Sequence, residues 1–291
     1  MLSISTRILW SWTISLLVVA TVRADLTPHF RKFLDERYGG EMSSKMERSG
    51  TYNLYGGSFG GKKSDNDTLT HQAVVFVHGT TLRASVFAAH KTFFMERGYS
   101  ESELYATTYA DGGQTPFFSK PMYCTDVKQI REFITAVYEY TNSTVDVVAY
   151  SMGVAISRKA ILGGRCAETE DYLGRPITKY VDAFVAIAGV AYGLERCPQN
   201  MQACNNINGM ACNSEFLRDV NSKTSSYEGN ATYAIYSKDD FLVGQNCCDH
   251  PCSELKNANL TVIRQKFDHI TVFTQTKEIQ YALVNHSPVD I

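Results

Sequence analysis

One stretch constrains the fold more than any other. Val145-Asp146-Val147-Val148-Ala149-Tyr150 reads as a buried strand, and it delivers Ser151 directly into Met152-Gly153 and a helical pattern from Val154 to Leu162 that stops at Gly163-Gly164. Strand, turn and helix meet at one serine, as in the nucleophile elbow of a serine hydrolase. So tight a turn strains the serine backbone and brings the residues two positions on either side into contact, so those neighbours must be small. Ala149 and Gly153 satisfy this, although the full G-x-S-x-G pattern has Gly where this chain has Ala149. A strand-to-helix turn with a capping serine would look similar, so the choice between the two falls to the rest of the chain.

The rest supplies matching parts in order. Gln72-Ala73-Val74-Val75-Phe76-Val77 is a second apolar strand, and it runs into His78-Gly79-Thr80-Thr81, where a hydrolase of this type places a donor for an oxyanion. The two expected donors are the backbone amides of Met152, just after the serine, and Thr80. His78 precedes the serine and is read as a turn-bracing residue, since the order in such enzymes is serine, acid, histidine. Downstream, the strand Ala231 to Ser237 opens into Lys238-Asp239-Asp240, a carboxylate pair at a strand end. The last strand, Leu260 to Lys266 with Phe267 after it, is followed by Asp268-His269-Ile270 and an amphipathic C-terminal helix. Of the histidines after the acids, His250 sits among cysteines and His286 lies near the terminus, leaving His269 as the base that a strand positions.

These residues carry a family resemblance. The chain resembles the class 2 lipases of the EstA/EstB type, and most closely the secreted nematode lipases, over roughly Ala73 to Phe273. The motifs are Val77-His78-Gly79-Thr80, Ala149-Tyr150-Ser151-Met152-Gly153, Tyr236-Ser237-Lys238-Asp239-Asp240 and Asp268-His269-Ile270. Bacterial members have Ala-His-Ser-Met-Gly at the elbow, so Tyr150 here replaces the His. Within the Tyr-Ser-x-x-Asp stretch, the resemblance implies that Asp240 is the acid and Asp239 its exposed neighbour. It implies an acyl-serine mechanism with Ser151, Asp240 and His269 as catalytic residues, Thr80 and Met152 as the oxyanion hole, and no metal or organic cofactor.

The chain order alternates strands near Ala73–Val77, Leu104–Tyr109, Val145–Ala149, Val181–Ile187, Ala231–Ser237 and Leu260–Lys266 with helical stretches such as Cys124–Thr141. An α/β-hydrolase fold is expected, a mostly parallel sheet with helices on both faces. A Cys-rich, cap-like insertion at about 190–230 holds Cys197, Cys204 and Cys212; as a disulfide-tied flap or as a static loop it reads equally well. Glu41 to Leu69 reads as a Gly- and Ser-rich connection with a short edge strand near Thr51 to Tyr55. Within it, Gly56 to Lys62 imitates a P-loop, but Lys63 stands where a magnesium-holding Ser or Thr belongs, so nucleotide binding is rejected.

Arg7, the apolar stretch Ile8 to Val22 and the small-residue end Val22-Arg23-Ala24 predict a signal peptide over 1–24, then one domain over 25–291, secreted and without a transmembrane anchor. The eight cysteines then read as four disulfides of undetermined connectivity, and Cys247-Cys248-Asp249-His250-Pro251-Cys252 as part of that set, not as a zinc site. Asn66, Asn142, Asn230, Asn259 and Asn285 begin N-x-[ST] sequons, expected at the surface. With 28 Lys and Arg against 30 Asp and Glu and no basic stripe, a nucleic-acid partner is not expected. The expected partner is a lipid or ester substrate, met through transient contact with a lipid interface. The expected function is a lipase cleaving acylglycerol esters. A carboxylesterase of short soluble esters, an acyltransferase and a silent α/β-hydrolase serving as a lipid- or partner-binding module are the alternatives.

Overall fold

The computed structural model describes residues 25–48 and 57–289 of the chain. The expected signal peptide at 1–24 and the expected edge strand near Thr51 to Tyr55 lie outside the described residues. The strands are β1 (Ser58–Phe59), β2 (Ala73–Val77), β3 (Leu104–Thr107), β4 (Val145–Tyr150), β5 (Val181–Ile187), β6 (Ala231–Ser237), β7 (Asn246–Cys247), β8 (His250–Pro251) and β9 (Leu260–Arg264). Seven of them form one sheet in the order β1-β3-β2-β4-β5-β6-β9, while β7 and β8 pair by themselves. Only β1 runs antiparallel to its neighbour in the large sheet. The helices are α1 (Pro28–Tyr38), α2 (Gly40–Glu47), α3 (Ala88–Met95), α4 (Cys124–Thr141), α5 (Met152–Leu162), α6 (Glu215–Val220), α7 (His269–Gln275) and α8 (Lys277–Val284).

Both faces of the sheet are covered, which is why its strands are almost continuously apolar. In β2, Ala73, Val75 and Val77 join a core with Phe30 of α1, Phe133 and Ile134 of α4 and Ile156 of α5. Val74 and Phe76 point the other way, to Phe94 of α3, Val272 and Phe273 of α7 and Leu283 of α8. Parallel strands covered on both faces by helices make the expected α/β-hydrolase architecture. The chain leaves β2 toward β3 and leaves β4 toward β5, so the direction of winding reverses between β2 and β4. At such a reversal the loops at the carboxyl ends of the two strands part and leave a crevice.

Two local expectations need correction. The connection expected from Glu41 onward is helical at first: Gly39, at φ 84°, ends α1, and α2 follows with Ser43 and Met46 buried. The expected single C-terminal helix is two, α7 and α8, broken at Thr276. Side chains bridge the break, because Thr276 Oγ1 donates to the Val272 carbonyl at 2.6 Å and Gln280 Nε2 to the Phe273 carbonyl at 2.9 Å. The P-loop imitation is also resolved locally: Ser58 and Phe59 form buried β1, and no helix follows before β2.

The insertion after β5 is tied on two sides. Disulfides Cys197–Cys204, Cys212–Cys248 and Cys247–Cys252 lace it to itself and to the loop after β6, while Cys124–Cys166 joins the start of α4 to the turn beyond α5. From beneath, Arg158 of α5 donates to Glu228 Oε1 at 2.9 Å, Asn221 Oδ1 at 3.0 Å, the Val220 carbonyl at 3.1 Å and the Ala191 carbonyl at 3.2 Å. Arg158 and Glu228 are both buried, and a buried charge keeps its place only with partners of this kind.

Candidate active site

Ser151 sits between the last residue of β4 and the first of α5 with φ 56° and ψ −128°, a conformation costly for any residue with a Cβ. Its surroundings hold it there. Its amide donates to the Ile187 carbonyl at 2.9 Å, and its carbonyl accepts from the Val154 and Val190 amides at 3.0 and 3.1 Å. Packing around the turn leaves no room for side chains. A methyl group on Gly79 would stand 2.8 Å from Ser151 Cβ, and one on Gly153 would stand 2.3 Å from the His78 carbonyl oxygen.

From this turn a hydrogen-bonded relay runs through three elements. Ser151 Oγ lies 3.0 Å from His269 Nε2, and His269 Nδ1 lies 2.7 Å from Asp240 Oδ2. All three residues are buried, with relative exposures of 5, 9 and 2%. An ionised carboxylate only accepts, so Nδ1 carries the proton and Nε2 is left to accept from the serine hydroxyl. The other oxygen of Asp240 accepts from the Leu242 and Val243 amides at 3.0 and 3.1 Å, so the carboxylate is oriented by backbone on one side and imidazole on the other.

Asp239 takes a different partner. Its Oδ2 accepts from the Lys266 amide and thereby holds the turn after β9. That turn leads to Asp268, which caps α7 by accepting from the Ile270 and Thr271 amides at 3.0 and 2.7 Å. Those backbone donors hold the Asp268 carboxyl below the usual carboxylate range. His269 is thus both the first residue of α7 and the middle of the relay.

Of the two expected oxyanion donors, one directly follows the serine in the chain and the other directly follows Gly79. Met152 is the first residue of α5, where an amide has no acceptor within its own helix. Thr80 follows Gly79, whose backbone lies against Ser151, and its hydroxyl is buried without a hydrogen-bond partner among the described residues. His78 braces this loop: its ring stacks on Tyr109 at 4.2 Å, Nδ1 donates to the Gly79 carbonyl at 2.7 Å, and Nε2 accepts from the Tyr109 amide at 3.1 Å. Burial lowers its pKa to about 4, so it is neutral in this role.

Several contributors have no sequence motif. Tyr150 packs against His269, Arg158 anchors the insertion, and the amides of Leu242 and Val243 orient Asp240. Of these, only position 150 stood out in the sequence, as a departure from the family's His, and that departure does not say what the tyrosine contacts. Beside the relay, Phe241 is 87% exposed, Leu242 44% and Ile270 66%, so large apolar side chains directly follow both the acid and the histidine. Among the described residues no cluster of His, Cys, Asp and Glu is arranged to hold a metal ion.

Comparison with known proteins bears on the fold and on the family. Lipase B of Aspergillus fumigatus superimposes with a TM-score of 0.56 at 14% identity, over 80% of this chain and 57% of that one. The mature form of a Bacillus licheniformis lipase, BlEst2, superimposes with a TM-score of 0.54 at 14% identity, over 78% of this chain and 97% of that one. At such identity the likeness is one of fold. Residues 71–282 match the class 2 lipase family, well over half of the chain, and the protein therefore belongs to the class 2 lipases, ester hydrolases of the α/β-hydrolase type.

Proposed function

We propose that the protein is a secreted serine lipase that cleaves acylglycerol esters through an acyl-serine intermediate. The observation that carries this reading is the unbroken relay from Ser151 Oγ through His269 to Asp240, at 3.0 and 2.7 Å. In the first half-reaction Ser151 Oγ attacks the ester carbonyl while His269 Nε2 takes its proton, and Asp240 supports the imidazolium that forms. The amides of Met152 and Thr80 donate to the oxyanion, each worth about 3 to 4 kcal/mol in the transition state. His269 then returns the proton to the departing alcohol. Water, activated by the same nitrogen, hydrolyses the acyl-serine and restores the starting state.

Exposed Phe241, Leu242 and Ile270 at the rim support a lipid substrate, since apolar side chains of that size beside a site favour contact with an apolar surface. Four disulfides suit an oxidising compartment, which supports the signal-peptide reading of residues 1–24, and the remainder, 25–291, is read as one domain. A fluorophosphonate probe should label the purified protein at Ser151, and Ser151→Ala should lose both labelling and ester turnover while keeping its melting temperature. Undiminished turnover by Ser151→Ala would remove the nucleophile assignment. An ester series graded by chain length, offered in solution and in emulsion, separates a lipase from an esterase of soluble esters.

A further inference from the structure

Tyr150 ends β4 and immediately precedes Ser151, yet its side chain reaches the other side of the relay. Its hydroxyl donates to the backbone carbonyl of His269 at 3.0 Å. Its ring centroid lies 5.0 Å from the imidazole at an interplanar angle of 30°, and 4.2 Å from the Phe273 ring at 23°. Phe273 stacks in turn on buried His90 at 4.3 Å, so the tyrosine is held from behind by a packed row of rings. Only 3% of Tyr150 is exposed, and burial raises its pKa, so the hydroxyl stays protonated and remains a donor.

These contacts join the backbone that carries the serine to the backbone that carries the histidine. Asp240 and Ser151 touch only the imidazole nitrogens, which leaves the height of the ring over the serine to be set by α7. The tyrosine hydroxyl pins the first turn of that helix. We propose that Tyr150 is a positioning residue: it fixes His269 against Ser151 through the carbonyl clamp, and its ring face favours the imidazolium that forms as the serine proton is transferred. An aromatic face within about 6 Å of a cation attracts it. The charged groups near the imidazole are Asp240, bonded to it, and Asp268, which precedes it and is turned to the amides of α7. The proposal rests on the reading of Ser151, His269 and Asp240 as the reacting set.

Two variants separate the clamp from the ring. Tyr150→Phe keeps the ring and removes the hydroxyl; kcat should fall about tenfold with KM and melting temperature close to the parent's, and the rate of fluorophosphonate labelling should fall in parallel. Tyr150→Leu removes the ring as well. With less support for the imidazolium, the acid limb of kcat/KM should move to lower pH by about half a unit relative to Tyr150→Phe. Unchanged kcat in Tyr150→Phe together with an unmoved limb in Tyr150→Leu overturns the proposal. So does a loss of rate that vanishes when turnover is divided by the fraction of protein that the probe labels to completion, since that marks a purely structural residue. Ser151→Ala, run beside them, reports separately on the reacting set: if it stays active, the failure lies with that reading and not with Tyr150.

Discussion

Asp239 and Asp240 leave the same strand and serve different turns, one holding the Lys266 amide and the other the His269 imidazole. Asp240→Asn presents an amide to Nδ1 and favours the wrong tautomer, so kcat should fall by orders of magnitude, about ten-thousand-fold in the serine-protease precedent. Asp239→Asn should change kcat by no more than a few-fold. Steady-state kinetics on one soluble ester decide the matter, and a large loss at Asp239 with normal turnover at Asp240 would reverse the two roles. Ser151 and His269 could be read in the sequence because each follows an apolar strand at its carboxyl end. Which aspartate faces the histidine could not be read from the strand alone, since both stand at its exit and only the fold brings Asp240 within 2.7 Å of Nδ1. The role of Tyr150 was equally hidden, for its partner is a backbone carbonyl 119 residues away.

The strand β4 bears Ser151 at one end and a buried carboxyl near the other. Asp146 is fully buried; Oδ1 accepts from Gln72 Nε2 at 2.8 Å and the Ala183 amide at 3.0 Å, while Oδ2 has no hydrogen-bond partner among the described residues. Asp182 nearby on β5 is paired with His286 at 2.9 Å and accepts from Asn230 at 2.9 Å. Burial raises the Asp146 carboxyl to about 7. A group raised in the folded state contributes fully to stability below its unfolded pKa, near 4, and that contribution is lost as pH rises through 7. Asp146→Asn keeps the acceptor oxygen and removes the titration. Urea unfolding should find the variant roughly 2 to 4 kcal/mol more stable than the parent at pH 8, with the difference closing toward pH 4; a difference that does not vary with pH would count against it. Strands of this kind are legible because helices cover both faces, and β2, β5 and β6 begin and end where their apolar runs do. The short α2 and the break at Thr276 are less so, since each depends on a neighbouring contact: Met46 buried in the core, and Gln280 reaching back across the break.

Across the molecule, the neighbouring parallel strands β2 and β4 bring Gly79, just past β2, against Ser151, just past β4, and the order of the parallel strands brings the loops after β6 and β9 to the same edge. That arrangement follows from alternating strands and helices, so the architecture was legible in outline. The disulfide pairing was not, because eight cysteines allow about a hundred pairings and spacing alone does not choose among them. The pairing Cys212–Cys248 decides what a single cut in the chain would do. Lys223 is exposed in the loop between α6 and β6, a favourable place for a protease, and cleavage there parts the segment bearing Ser151 from the one bearing Asp240 and His269. Of the four bonds, only Cys212–Cys248 crosses that cut; the others close within one fragment. Protein nicked after Lys223 should therefore migrate as one species on a non-reducing gel and as two after reduction, and separation without reductant would refute the pairing. A nicked molecule is thus a two-chain protein whose halves each hold part of the relay, joined by one covalent bond outside it.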